Sequence, residues 1–266
     1  GTACVGCHMP SQIYMGVDAR RDHSMRIPRP DLSLSTGSPN ACNQCHTEES
    51  ADWAYSALLD WGVRFTGQRN HPARAFHAAD RGDVRATPVL LETANNQANS
   101  ALLRASAISH LSALIPERTA SYLSLWLSSP DPLIRQAAIQ AAGHLPPEQR
   151  LPILTPVLED PVLGVRMMTA EQLADLSAAS MKEQTKQIAA LNKEYRKIQS
   201  QHLDMPSVLA QLSRFQLAQG ETSAAEAGLL SALEKNPQSS IARVNLADLY
   251  RSLGNERAAR AILEEG

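Results

Sequence analysis

Apolar positions change their rhythm along this chain. Up to about residue 48 they follow no sustained period, and the segment from Arg20 to Arg26 is polar and non-periodic. Pro28 and Pro30 keep Ile27–Pro30 extended, as a strap rather than a helix. Ser50 is a predicted cap for a helix running through Trp53, Leu58, Leu59, Trp61 and Phe65. From about residue 85 a period appears. Arg104, Arg135 and Arg166 recur every 31 residues, and Leu103, Ile134 and Val165 keep step with them. So do Leu111, Ala142 and Leu173, then Leu114, Leu145 and Leu176. Asp131-Pro132 and Asp160-Pro161 supply turn and cap signals ahead of two of the helices. Residues 177–203 are polar, with a narrow apolar stripe at Ile188, Leu191, Tyr195 and Ile198, and all five lysines follow position 181. They read as a connecting helix. A second period, of 34 residues, then pairs Leu212 with Leu246, Gly220 with Gly254, Ala225 with Ala259 and Leu229 with Leu263.

The 31-residue unit is a helical hairpin resembling HEAT-like repeats, about three units long. The 34-residue unit resembles a tetratricopeptide repeat. Ala232 and Pro237 stand where its second helix and exit turn expect them, and Leu246-Ala247-Asp248-Leu249-Tyr250 supplies the next first helix. A single hairpin cannot bury its own face, so stacking supplies the core. The expected fold is all-α. An irregular, cofactor-packed N-terminal region (1–80) precedes an α-solenoid of HEAT-like hairpins (85–176), a connecting helix (177–205) and tetratricopeptide-like hairpins (206–266). Arrays of this kind want about three units, so continuation past Gly266, or docking on the preceding helices, is expected. At the other end a cysteine already stands at position 4 with no leader pattern before it. The sequence reads as a piece of a longer protein.

Composition narrows the class. In 266 residues, 43% are hydrophobic and 25 basic side chains face 27 acidic ones. That balance argues against disorder and against a nucleic-acid partner. No run of 18 apolar residues is present, so no membrane span is expected. Aromatics at 4% fit stacked helices better than a β-sandwich.

The four cysteines fall in two copies of one pattern, Cys4-Val5-Gly6-Cys7-His8 and Cys42-Asn43-Gln44-Cys45-His46. Cys-x-x-Cys-His is the attachment signature of a c-type haem. Two cysteines three positions apart lie on one helical turn, within reach of both vinyl-derived carbons of the porphyrin, and the next histidine faces the iron. Three other readings compete. A zinc site of paired Cys-x-x-Cys units has a shorter usual gap, about 15–20 residues, than the 34 between Cys7 and Cys42. A thioredoxin-like pair needs a βαβ pattern, which is not visible. Two disulfides would suit an exported protein. None of the three requires a histidine after each second cysteine. Two covalently attached haems c are therefore the expected cofactors, held by Cys4, Cys7, Cys42 and Cys45, with His8 and His46 on the irons.

Six-coordinate iron needs a second axial ligand. His23, in the polar stretch between the motifs, is the leading candidate; His71 and His77 form a second tier. Met9, Met15 and Met25 are read as packing against the porphyrin face before ligation. His110, His144 and His202 lie in later helical segments and are read as structural. Arg20, Arg21, Arg26 and Arg29 cluster around His23, and a guanidinium fork suits a haem propionate; a solvated loop balanced by Asp18, Asp22 and Asp31 competes with that role.

With Cys4 through Pro10, Asp18 through Leu32, Pro39 through His46 and Ala242 through Gly254 in view, the chain resembles the C-terminal part of bacterial multihaem cytochromes c that carry tetratricopeptide repeats. In that family a pattern like Arg21-Asp22-His23-Ser24 sits between two haem motifs, with further motifs upstream. The resemblance implies His23 as an axial ligand, further haem domains upstream in the intact chain, and a periplasmic or otherwise exported location. Only two motifs stand here. The leading functional expectation is electron transfer through the haems, with the repeats docking a redox partner protein. The alternatives are a multihaem oxidoreductase acting on a small nitrogen or sulfur compound, and a haem-stapled interaction scaffold.

Overall fold

A computed structural model describes residues 3–23, 25, 27–65, 70–176 and 182–265. The chain divides into two compact units, residues 1–99 and 100–266. It is mostly helical, and each unit has its own logic.

The first unit opens with α1 (Cys4–His8), followed by a two-stranded antiparallel hairpin, β1 (Ser11–Tyr14) and β2 (Asp18–Arg21). The hairpin stands within the region expected to be irregular, in a chain that is otherwise mostly helical. Its register pairs Ser11 with Arg21 and Tyr14 with Asp18. Three residues, Met15–Val17, connect the strands; Met15 (φ 52°) and Gly16 (φ 74°) are the central pair of a tight turn closed by Val17 N–H donating to Tyr14 O at 3.1 Å. Two positive φ angles in succession match the twist of a tight hairpin. Glycine takes such a φ freely; at Met15 it costs about 1–2 kcal/mol.

Residues 27–29 are non-helical, and α2 (Pro30–Thr36) starts directly on Pro30, whose missing N–H costs nothing at a first helical position. Then come a 3₁₀ turn at Cys42–Gln44, α3 (Ala51–Asp60), α4 (Pro72–Asp80) and α5 (Thr87–Asn95). Ser50 Oγ accepts from Trp53 N–H at 3.1 Å and caps α3 as its sequence predicts. The helix stops at Asp60 instead of reaching Phe65. Gly62 (φ 84°) turns the chain, and Val63 N–H closes back on Leu58 O at 2.9 Å. Trp61 is left 77% exposed. The unit's apolar core is small: Leu32, Ala54, Ala75, Ala86, Leu90 and Ala94. Among the described residues, none from 3 to 29 is buried.

The second unit is a run of antiparallel helices, most of them packed on their neighbours in sequence: α6 (Ala101–Leu114), α7 (Pro116–Thr119), α8 (Leu123–Leu127), α9 (Pro132–Ala142), α10 (Pro147–Leu154) and α11 (Leu163–Gln172), then α12 (Thr185–Gln199), α13 (Pro206–Ala218), α14 (Thr222–Lys235), α15 (Ser240–Ser252) and α16 (Glu256–Glu264). The 31-residue period is a burial period: Leu111, Ala142 and Leu173 are fully inaccessible, as are Ile134 and Val165. The recurring arginines latch one hairpin to the next. Arg135 donates to both carboxylate oxygens of Asp160 at 2.7 and 2.9 Å, and Arg166 to both of Glu194 at 2.8 and 2.7 Å. On α12 Ile188, Leu191 and Tyr195 are buried, as the stripe predicts. Residues 177–181 lie outside the described residues.

Leu209, Ala210, Leu229, Ala232, Ala242, Leu246 and Leu249 form the core of α13–α15. There α13 and α14 approach closely. A Cβ on Gly228 would meet Ser213 Oγ, so a larger residue at this crossing needs that hydroxyl to turn away.

Candidate functional site

Both cysteine–histidine runs are wound as helical turns, each braced by side chains from outside the run. In α1, Gly6 N–H donates to Ala3 O at 2.8 Å and Met9 N–H to Val5 O at 3.0 Å. Arg21, at the end of β2, donates through Nη1 to Val5 O at 3.3 Å and Met9 O at 3.1 Å. A guanidinium at a helix C-terminus supplies donors to the carbonyls there, here to Met9 O and as a second bond to Val5 O, which already accepts from Met9 N–H. The hairpin thus holds the turn that carries His8.

The second run is organised by two asparagines. Asn40 Oδ1 accepts from Cys42 N–H at 3.0 Å and Asn43 N–H at 3.2 Å, and Asn40 Nδ2 donates to Asn43 Oδ1 at 2.7 Å. Asn43 Nδ2 in turn donates to His46 O at 3.2 Å and Glu49 O at 2.6 Å. His46 N–H closes on Cys42 O at 3.0 Å. The His46 ring rests against Trp53 of α3, centroids 4.7 Å apart and planes inclined at 46°.

All four thiols are free; Cys4, Cys7 and Cys45 are exposed and Cys42 is half-buried. Burial pushes the Cys42 thiol up, and the Cys7 thiol pushes it further the same way. The two runs are therefore within electrostatic reach of one another. Among the described residues no group of three or more His, Cys, Asp or Glu side chains converges as a metal site. The cysteines stand as two separate pairs, not as a tetrahedral cluster.

The other candidates fall in different places. His23 is exposed in a turn after β2. Arg20 pairs with Asp18 at 3.4 Å and lies 4.9 Å from the centre of the Tyr14 ring. Arg21 is engaged on α1. Arg26 lies outside the described residues. Arg29 grips both oxygens of the buried Asp31, each at 2.7 Å, while Arg74 donates to Asp31 O at 3.1 Å. Burial acts to raise the Asp31 carboxyl, but the Arg29 hydrogen bonds and charge, helped by Arg74, hold it below its ordinary value.

His71 sits differently from its ligand candidacy. Its Nδ1 accepts from Ala73 N–H at 3.2 Å and caps α4. Burial, then the Arg29 charge, lowers its pKa, in keeping with a ring whose Nδ1 accepts a hydrogen bond. A ligating imidazole normally donates its other N–H outward; an Nδ1 occupied as an acceptor fits a cap instead. His77 is half-buried in the last turn of α4.

Two features of this region bear on whether a porphyrin fits it. Large apolar side chains stand in water: Ile13 is 73% exposed and Met15 and Val17 each 81%, alongside Met25, Ile27 and Trp61. Residues with so little buried apolar surface need another source of core, and small domains draw it from prosthetic groups or cross-links. Beside the second run, Ser33 Oγ is buried without a hydrogen-bond partner at a hollow of about 360 Å³ that Asn40 and Asn43 also line. A second hollow, about 260 Å³, lies between Pro10, Ile13, Tyr14, Arg20 and Arg21. Free paired thiols, a following histidine on each turn and uncovered apolar surface fit the donor set of a c-type haem.

Asn40, Asn43 and the Arg21 clamp are what sequence reasoning missed. The Asn-x-Cys-Asn run was the available signal, since asparagine side chains close turns on their own backbone.

Among the described residues no helix is long and apolar enough to cross a membrane. No curated protein and no solved structure matches the chain. The family model for HEAT repeats matches residues 87–174 and 120–193, and that for tetratricopeptide repeats matches residues 216–266. HEAT and tetratricopeptide-like repeats are thus both present, and they point to a protein–protein interaction scaffold.

Proposed function

We propose that this scaffold carries two covalent c-type haems and passes electrons to or from a partner protein docked on its repeats. The observation that supports this reading above the others is the pairing of free thiols. Two Cys-x-x-Cys-His runs, each on a helical turn, occur where the chain has almost no apolar core of its own. Cys4 and Cys7 would hold one haem and Cys42 and Cys45 the other, with His8 and His46 as iron ligands. The group supplies one-electron chemistry when bound.

The chain's own residues prepare the ground. Arg21 fixes the turn that aims His8; Trp53 and the Asn43 hydrogen bonds fix the turn that aims His46. His23 would supply a further iron ligand, and Arg20 and Arg26 lie in the stretch suited to pairing propionate carboxylates. Thioether formation takes place outside the cytoplasm, so the reading carries an exported, periplasmic location, with upstream haem domains in the intact protein and a redox protein as partner.

The test is an absorbance spectrum of chain matured in an export-competent host, reduced, with and without carbon monoxide, beside its mass. A mass two haems above the polypeptide and a spectrum indifferent to the gas are expected. The His23→Ala variant should then acquire a gas-sensitive haem. A mass equal to bare polypeptide overturns the reading. A wild-type spectrum that shifts with the gas replaces the carrier by an oxidoreductase with an open iron.

A further inference from the structure

Four of the chain's five lysines fall between positions 182 and 197 of a chain whose net charge is −2. Three of them, Lys186, Lys193 and Lys197, are exposed on α12. With Ala190 they follow the spacing of a single helix face, while Ile188, Leu191 and Tyr195 turn the opposite face inward. Beside that lysine face runs a groove of about 600 Å³, between α12 and the turn at residues 158–161. Leu158, Pro161, Ala190 and Leu191 give it apolar walls, and Lys193 and Lys197 form one rim.

The charges bordering this groove are not all available. Asp160 is held by Arg135, and Glu194 by Arg166. Arg166 also donates to Asp160 O at 2.7 Å. Those carboxylates are matched within the fold, and burial-opposed hydrogen bonding keeps both ionised. Toward solvent the groove presents Lys193 and Lys197, the latter also acting on the Glu194 carboxylate, against the exposed Glu159. Lysine also keeps its charge on a flexible stem that reaches over an occupant without competing for the apolar floor.

We propose that this groove docks an acidic peptide segment of the partner protein, one apolar side chain seated between Pro161 and Ala190 and carboxylates paired with Lys193 and Lys197. The proposal rests on the reading that the repeats dock a partner protein, and is independent of the haems. Charge sets the partner's sign and its rate of encounter, and the apolar anchor sets how long it stays. The groove lies within the repeat unit alone.

The test uses full-length, haem-loaded protein and a fluorescein-labelled peptide of aspartates and glutamates around one leucine, read by fluorescence anisotropy. Binding is expected, weakening as salt rises. Charge reversal in K193E/K197E, and neutralisation in K193Q/K197Q as a gentler variant, should weaken it by roughly tenfold or more. Replacing the peptide's leucine with serine should weaken it comparably, while K235E on α14 leaves it unchanged. Failure of the acidic peptide to bind overturns the proposal. So does binding indifferent to both lysine variants, or equal binding of a single-stranded oligonucleotide, which would make the face a general polyanion surface. The haem spectrum of the same sample reports separately on the cofactor reading.

Discussion

Residues 3–60 and the repeat unit solve the problem of a core in opposite ways. The repeats bury leucines, isoleucines and alanines at one phase of each period, and any hairpin has neighbours to bury against. The N-terminal stretch keeps its largest apolar side chains in water and invests its order in hydrogen bonds around two cysteine–histidine turns. Apolar side chains fill the repeats. The other region is braced locally, by Arg21, Asn40 and Asn43, without being filled. On the proposed reading, the stability of residues 3–60 depends on the group that the site would hold.

Removing all four thiols tests that contrast most severely. With Cys4, Cys7, Cys42 and Cys45 changed to alanine, haem absorbance should vanish. Hydrogen exchange over residues 3–60 should rise toward the unprotected rate while the repeats keep their protection. Equal protection of residues 3–60 with and without the thiols would abolish the distinction between the regions.

Asp160→Ala probes the opposite side. It leaves the Arg135 guanidinium, on a residue 9% exposed, with only the Ser129 and Pro130 carbonyls as partners, and breaking a buried pair by one partner costs about 3–5 kcal/mol. Denaturant unfolding of the repeats should shift by that much with the haem spectrum unaltered.

Acid offers a graded version. Hydrogen bonds from Arg166 hold Glu194 below the ordinary carboxylate range, and Arg135 does the same for Asp160 against the opposing effect of burial. A lowered folded-state value means the stabilisation is present above the unfolded value, near pH 4, and is lost as pH falls through the lower one. Repeat stability should hold from pH 7 to about 5 and decline below 4. A melting temperature unchanged at pH 3 would show that the pairs contribute nothing. The smallest expected effect is Met15→Gly, which relieves the left-handed φ in the hairpin turn. It should gain less than about 1 kcal/mol, because glycine also loses more entropy on folding.

The two regions were also unequally legible. A haem signature is local in sequence, so both runs stand out without any knowledge of the fold, and repeats announce themselves by recurrence. Long-range pairings do not. The arginines at 135 and 166 are visible as a period, but the carboxylates they grip lie 25 and 28 positions further on, with no common residue type. The hairpin escaped because its strands are four residues long and exposed on both faces, which erases the alternation that reveals a strand. His71 shows how local context decides a role. Followed by Pro72 it stands where a helix begins, and its Nδ1 accepts the backbone N–H of Ala73.

The spacing of those arginines has a consequence for how such an array can lengthen or shorten. Excising 31 residues between equivalent points would bring Arg135 into the position of Arg166, facing Glu194. A deletion of another length between the two arginines would put Arg135 out of step with that carboxylate. Loss of a whole unit is therefore the change of size that keeps such a pair, and the register of charge acts as its ruler.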